Sequence, residues 1–269
     1  MVRVLVLSVK EKAVLASGVA LVFVAVVLQF PSVSQIVGFG EADDSVELTL
    51  LSNAGVMIEA MGMRVYIDPV DLPVEYGDSP ADVILVTHDH GDHYQESTIN
   101  MLQREGTANV FPEIMVAEIT RHSGVEVVPG DELEFGGIKV TAFYMYTFTP
   151  VPGTPASHPA ESGFTSYIVD IDGFTLFHVG DSKNLPEYEE LTGEIYVALL
   201  PLGSGCQTMF DAEVVNVLQV IEPSYFVPIH FTEGNNDVFC SRYESSILAV
   251  TECEVYNLDH YSSHTFDAT

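Results

Sequence analysis

The chain is most constrained by a short cluster of metal-binding side chain types, Thr87-His88-Asp89-His90-Gly91-Asp92-His93. The cluster follows the apolar run Val83-Ile84-Leu85-Val86, which is typical of a buried strand, so it is predicted at a strand's carboxyl end. Imidazoles this close together would repel one another once protonated, whereas a bound cation would hold them together. A solvated polar turn is the alternative, but the order His-x-His-x-Asp-His favours a metal site.

Two later motifs extend the pattern. Gly180-Asp181 ends a predicted hairpin that turns at Asp172-Gly173, and Pro228-Ile229-His230 ends another apolar run. With the first cluster, these motifs resemble the metallo-β-lactamase superfamily over residues 46–235. Their order is most similar to the subfamily of ascorbate-6-phosphate lactonases and related uncharacterised metal-dependent hydrolases. The resemblance implies an α/β (α+β) fold, a four-layer αββα sandwich with a two-metal site along one edge.

The resemblance also implies how seven side chains would share two metals. In this assignment the first metal is bound by His88, His90 and His158, the second by Asp92, His93 and His230, and Asp181 bridges them.

The third ligand of the first metal is the least certain position, because His122, His158 and His178 all lie between the cluster and Asp181. Relatives in this subfamily have a His-Pro loop that resembles His158-Pro159, so His158 is chosen. His122 is interpreted as a surface residue, and His178 as a core residue or a support for the ligands.

The donor set predicts two divalent metal ions, zinc first, with manganese or iron as alternatives. Such a pair supplies a hydroxide nucleophile at neutral pH, which predicts hydrolysis of an ester, lactone or phosphodiester bond in a small-molecule substrate. Asp92 is also assigned as the proton acceptor that orients the hydroxide. The substrate itself is not indicated.

One departure from the subfamily lies in the first turn, where relatives often have Gly-His and this chain has Ser52-Asn53-Ala54-Gly55. The role of that histidine is therefore absent or taken over by Asn53. Together with the unusual stretch Gly205-Cys206-Gln207, this leaves room for an alternative function, a non-catalytic, membrane-tethered metal-binding or interaction domain on the same fold. The complete ligand set favours the enzyme.

Charge excludes one class of partner. The formal net charge is −30, from 39 acidic and nine basic residues, so the surface repels phosphate backbones and nucleic-acid binding is not expected. An acid-rich, lysine-poor composition also suggests a haloarchaeal protein, because roughly molar salt screens such self-repulsion within about 3 Å. An acidic protein from a low-salt organism is the alternative.

The N-terminal region is predicted to insert into a membrane. Residues 13–30 are almost wholly apolar, and eighteen residues of helix span about 27 Å, close to the hydrocarbon core of a bilayer. Basic residues before this segment place the N-terminus in the cytoplasm and the hydrolase domain outside. A cleaved signal, which would make the protein secreted, and a buried helix of a soluble cytoplasmic hydrolase are the alternatives. The predicted organisation is a membrane segment at 1–30, a linker at 31–44 and a hydrolase domain at 45–269, with the oligomeric state open.

Periodicity predicts the remaining elements. Strands are expected at 46–51, 55–60, 64–69, 110–116, 125–128, 196–203, 225–231 and 254–258, hairpins at 131–142 and 167–182, and helices at 94–104, 211–221 and 242–250. Asp211 is the predicted N-cap of its helix.

Cysteine usage indicates no zinc knuckle or disulfide framework, since Cys206, Cys240 and Cys253 are odd in number and widely spaced. They are interpreted as buried small hydrophobes, with one disulfide as the alternative if the domain is extracytoplasmic. The tail residues His260 and His264 are interpreted as exposed.

Overall fold

The computed structural model describes residues 45–149, 152–203 and 205–268, where two seven-stranded sheets pack face to face. The first sheet has the order β14-β1-β2-β3-β4-β5-β6, and the second has the order β13-β12-β11-β10-β9-β8-β7. The strands are β1 Ser45–Leu50, β2 Val56–Ala60, β3 Met63–Ile67, β4 Val83–Leu85, β5 Ala108–Pro112, β6 Val125–Val127, β7 Glu132–Phe135, β8 Ile138–Tyr144, β9 Thr165–Ile171, β10 Phe174–His178, β11 Val197–Pro201, β12 Tyr225–Ile229, β13 Glu254–Val255 and β14 Ser263–Asp267.

Four α-helices join these strands: α1 Glu96–Leu102, α2 Val116–His122, α3 Asp211–Ile221 and α4 Asn235–Val250. Short 3-10 turns occupy Val74–Asp78, Ala160–Ser162, Pro186–Leu191 and Gly205–Gln207.

The layering follows from alternation along the strands, whose successive side chains point to opposite faces. In β4, Val83 and Leu85 enter the core between the sheets, whereas Ile84 joins an outer cluster with Ile99 and Leu102 of α1. On the second sheet, α3 packs against β11 and α4. The predicted αββα sandwich is confirmed for the described residues.

The direction of the strands fixes where a site can form. Strands β3 to β6 run parallel, as do β10 to β13. The carboxyl ends of neighbouring parallel strands meet at one edge of a sheet. The motifs that follow β4, β10 and β12 therefore lie along the same edge of the sandwich.

Several boundaries differ from the sequence predictions. Strand β5 ends at Pro112, and the predicted strand residue Val116 begins helix α2 instead. Asp211 is the first residue of α3 rather than its N-cap, which is Phe210. The last helix begins at Asn235 rather than at 242.

At the C-terminus, the strand predicted at 254–258 shortens to Glu254–Val255, and an unpredicted strand, β14, pairs with β1. The predicted membrane segment and linker lie outside the described residues. Among the described residues, none of the helices has the length and apolar character needed to cross a bilayer.

Candidate metal centre

The structure gathers all seven predicted ligands into two neighbouring sets. Potential ligand atoms of His88, His90, His158 and Asp181 lie within 4.8 Å of one another, and so do those of Asp92, His93 and His230. We call His88, His90 and His158 the first ligand group, and Asp92, His93 and His230 the second ligand group. That these residues bind metal remains a prediction, which the donor atoms themselves allow us to test for chemical fit.

The donor atoms suit metal ions because many of them are buried without a hydrogen-bond partner. These atoms are Nε2 of His88, His93 and His230 and both carboxylate oxygens of Asp181. A buried polar atom without a partner costs about 1–3 kcal/mol, so these five atoms are donors that a bound cation would satisfy. In addition, His90 Nδ1 lies 3.2 Å from His158 Nε2. Two nitrogens bound to one tetrahedral zinc at about 2.0–2.1 Å would be roughly 3.3 Å apart.

Asp181 lies between the two ligand groups. Its Oδ1 atom is 3.1 Å from His93 Nε2 and 3.3 Å from His230 Nε2. Its Oδ2 atom is 3.8 Å from His158 Nε2. One carboxylate oxygen therefore faces each group, which is the arrangement a bridging ligand requires.

A buried carboxylate that the sequence analysis did not single out, Asp68, orients two of the histidines. Asp68 Oδ1 accepts the backbone N–H of Thr87 at 2.7 Å, and Oδ2 accepts the Thr87 hydroxyl at 2.6 Å and His93 Nδ1–H at 2.7 Å. Because the Thr87 hydroxyl donates to Asp68, its oxygen accepts Nδ1–H of His88 at 2.9 Å. Both imidazoles thus donate from Nδ1, which leaves Nε2 as the nitrogen that faces the metal edge.

The signal for Asp68 was present in the sequence. Ile67-Asp68-Pro69 ends the strand that pairs with β4, so its side chain had to lie beside the start of the histidine cluster.

Two histidines of the first ligand group, His88 and His158, are held neutral by burial. Burial, reinforced by the neighbouring imidazoles, holds the pKa of His88 well below its usual range. Burial also lowers the pKa of His158 to about 4. Neutral imidazole is the form that binds metal, so these two histidines need lose no proton at neutral pH.

The second ligand group has the opposite electrostatics. Burial alone would lower the pKa of His93, but the carboxylates of Asp181 and Asp68 outweigh it and raise this pKa well above its usual range. Burial would likewise raise the pKa of Asp181, but His93 and the other imidazoles lower it. The interaction with His230 holds the pKa of Asp92 well below its usual range, so Asp92 is a carboxylate at neutral pH.

The three candidates for the third ligand are now separated. His158 is buried, with its backbone N–H donating to Thr147 Oγ1 at 3.0 Å and its carbonyl accepting the Thr147 N–H at 2.7 Å. His178 is a core residue whose Nε2–H donates to the Ala54 carbonyl at 2.7 Å. The interpretation of His122 as a surface residue is wrong: it is 7% exposed and stacks on Phe111.

The predictions for two cysteines are confirmed, whereas those for the tail histidines are wrong. Cys240 and Cys253 are buried free thiols, as interpreted, and burial raises their pKa values to about 11 and about 12. The Cys206 side chain lies outside the described atoms. The tail histidines are half-buried rather than exposed, because His260 stacks on Phe231 and His264 packs against Tyr256.

Two loops form the rim of the metal edge. Gln207 joins them, since its side chain accepts the Ser157 N–H at 3.1 Å and donates to the Pro155 carbonyl at 3.2 Å. Ser157 Oγ lies 3.0 Å from His158 Nδ1, which connects the rim to the first ligand group. A Cβ added at Gly205 would lie 4.0 Å from His230 Cε1, so this loop runs directly beside the second group.

Comparison with known proteins agrees with the fold. Residues 47–230 match the family model described as beta-lactamase superfamily domain. A UPF0173 metal-dependent hydrolase of Methanoregula boonei is 30% identical, over 68% of this chain and 81% of the relative. Another, from Caldivirga maquilingensis, is 32% identical over the same shares of the two chains.

Solved structures share the architecture. A protein from Parabacteroides distasonis superposes with a TM-score of 0.68 at 24% identity, covering 80% of this chain and 94% of the other. Igni18, a metallo hydrolase from Ignicoccus hospitalis, gives 0.66 at 21% identity, covering 82% and 98%. These likenesses support the fold, while the family rests on the sequence matches. The chain belongs to the β-lactamase superfamily and, within it, to the UPF0173 family of metal-dependent hydrolases.

Proposed function

We propose that this metal-dependent hydrolase is binuclear, with one divalent ion at each ligand group and Asp181 as the bridge. The observation that carries the proposal is the position of the Asp181 carboxylate, whose two unpaired oxygens face the imidazole nitrogens of both groups. Zinc suits this mixture of imidazole and carboxylate, and manganese or iron remain alternatives because the ligands are of intermediate softness.

Two such ions, when bound, supply a hydroxide nucleophile at neutral pH and polarise the scissile bond. The chain's own residues do the remaining work. Asp92 is the one ligand with a largely open side chain, 48% exposed, so its carboxylate can also hold a proton from an attacking water at Oδ2. Asp68 fixes the imidazole tautomers by accepting their Nδ1 protons directly or through Thr87.

The reaction we propose is hydrolysis of an uncharged ester or lactone, with phosphodiesters as the second class. Five of the six lysine and arginine side chains among the described residues lie within 4.0 Å of a carboxylate, which supports this order. Lys183 pairs with Glu213 at 2.9 Å, and Arg64 and Arg104 pair with Glu59 and Asp82. A phosphorylated substrate, such as the ascorbate-6-phosphate lactonase subfamily would suggest, needs a free cation near the metals.

The test is metal content together with hydrolysis, using the full-length chain reconstituted with Zn²⁺, Mn²⁺ or Fe²⁺ in about 1 M salt. We expect about two equivalents per chain and turnover of at least one lactone or ester in a panel that also holds phosphodiesters. The H88A variant should lose both metal and turnover. Failure of the wild-type chain to bind stoichiometric metal would overturn the mechanism and favour the non-catalytic alternative.

We also propose that residues 13–30 anchor the hydrolase on the extracytoplasmic side of a haloarchaeal cell membrane. The apolar run, the basic residues before it and the net charge of −30 support this. Membrane fractionation with protease treatment of intact cells tests it, since an external domain would be digested while the anchor stays in the membrane. A protected domain in the soluble fraction would contradict it.

A further inference from the structure

The turn between β1 and β2 approaches the metal edge from a strand that carries no ligand. It comprises residues 51–55 and is closed by the Leu51 N–H on the Gly55 carbonyl and the Gly55 N–H on the Ser52 carbonyl, both at 2.8 Å. Asn53 lies at its tip with φ of 54°, a left-handed conformation that asparagine tolerates better than most residues.

Asn53 contacts both polypeptide segments that supply the second ligand group. Its Nδ2 donates to the Asp92 carbonyl at 2.9 Å and lies 3.5 Å from Asp92 Oδ2. Its own carbonyl accepts the backbone N–H of His230 at 2.9 Å. Asp92 comes from the loop after β4 and His230 from the end of β12, so one residue ties together ligands from the two sheets.

The turn packs against the end of β3 and is hydrogen-bonded to the second sheet, and these contacts hold the backbone of Asn53 in place. A Cβ at Gly55 would lie only 2.9 Å from the Asp68 carbonyl and 3.0 Å from the Ser52 carbonyl, so the turn sits directly against the end of β3. His178 donates to the Ala54 carbonyl from the other sheet at 2.7 Å. Asn53 is therefore held in place independently of the ligands it contacts.

We propose that Asn53 is a positioning residue that sets the separation of Asp92 and His230, and that it thereby controls affinity for the second metal. The inference rests on the proposed binuclear function. The second ligand group needs such a support because its two ligands on loops, Asp92 and His230, are 48% and 12% exposed, whereas the His88 and His158 side chains of the first group are fully buried. The first ligand group has no contact of this kind with Asn53 among the described hydrogen bonds.

The experiment compares stepwise Co²⁺ binding to the wild-type chain with binding to N53G and N53D, using the visible absorption of each bound equivalent. Glycine keeps the left-handed turn and removes only the amide, and aspartate keeps the shape but replaces the donor with an acceptor facing the Asp92 carbonyl. Loss of an outer partner costs roughly 10- to 100-fold in metal affinity. We expect the second equivalent to weaken at least about tenfold in both variants while the first is unchanged.

D172G is the matched control, because Asp172 also has a positive φ, 50°, but lies in the hairpin turn at the opposite end of β10 from Asp181. It should bind both equivalents as the wild type does, and thermal unfolding of all variants checks that they are folded. If N53G and N53D bind both metal equivalents as tightly as the wild type does, the positioning role of Asn53 is overturned and the binuclear function is not. A wild-type chain that binds fewer than two equivalents would overturn the binuclear function itself.

Discussion

The two ligand groups differ in burial and in charge, although they lie side by side. His88 and His158 of the first group are buried, and burial depresses their pKa values. In the second group His93 is buried between Asp68 and Asp181, and these carboxylates raise its pKa, while Asp92 faces solvent. The difference teaches that burial holds His88 and His158 in the neutral form that binds metal, whereas the carboxylates beside His93 favour its protonated form, so a metal entering the second group must displace that proton.

The two ligand groups also differ in the residues that hold their ligands in position. Gln207 and Ser157 on the rim loops form hydrogen bonds that support the first group. Asn53 in the first turn forms the hydrogen bonds that support the second group. Asp68 serves both groups, since it holds His93 directly and His88 through Thr87. Substitutions can therefore be chosen that affect one group, the other, or both.

The largest effect is expected from removing one ligand of each group, in H158A and H230A. Both should lower hydrolysis by more than the roughly 100-fold that loss of an outer partner costs. H158A should lose its equivalent of metal completely, because the buried position is closed to a replacement water. H230A should keep a weakened second equivalent, because His230 is partly open and water can take its place. Elemental analysis after dialysis measures both, and equal losses would contradict the contrast in burial.

A smaller effect on both groups is expected from D68N. The Asp68 carboxylate accepts three hydrogen bonds, and an amide in either orientation turns a donor toward one of them. We expect both metal equivalents to weaken by about 10- to 100-fold, measured by competition with a chelator. D71N is the control, since Asp71 also has a positive φ, 50°, but pairs with Gln95 away from the metals. Weakening of only one equivalent in D68N would break the shared role of Asp68.

A still smaller effect, confined to the first group, is expected from Q207A. This change removes the two hydrogen bonds that Gln207 makes to the other rim loop, one of them from the backbone N–H of Ser157, whose hydroxyl lies against the His158 ring. Loss of about 1 kcal/mol of hydrogen bonding predicts roughly a fivefold weaker first equivalent. Calorimetric titration measures it, with the exposed α3 residue in Q219A as control. An equal change at the second equivalent would show that the rim does not distinguish the groups.

The sequence predicted the parts of this centre that local pattern determines. The order His-x-His-x-Asp-His after an apolar run placed four side chains at one strand end, and Gly180-Asp181 and Pro228-Ile229-His230 placed two more. The two-sheet sandwich, by contrast, was predicted from the family resemblance that these motifs carry.

What the sequence could not supply were contacts between distant segments. Asp68 stands at a recognisable strand end, but the His93 ring that it contacts lies 25 residues later, and β14 lies more than 200 residues after its partner β1, so no local pattern identifies either partner. His122 was misjudged for the same reason. Its burial comes from Phe111 and Tyr94, which approach it only once α2 packs against the first sheet.

The smallest expected effect concerns His122, which packs beside Tyr94 and Phe111 on the outer face of the first sheet. Arg121 donates to the Tyr94 hydroxyl, and that hydroxyl lies 3.0 Å from Nε2 of His122. Burial lowers the pKa of His122 below its unfolded value, so the unfolded chain takes up a proton first as pH falls. His122 therefore contributes stability that is present above about pH 6.5 and is lost as pH falls toward its folded pKa.

H122Q keeps a partner for Tyr94 without titrating, so the free energy of unfolding of this variant should fall less steeply than that of the wild type between about pH 7 and pH 5. The difference in slope is at most about 1.4 kcal/mol per pH unit, the value for one proton. Denaturant titrations across this range measure it, and parallel curves for the two proteins would mean that His122 is protonated in the fold and that its burial does not support Tyr94 in the way the contacts indicate.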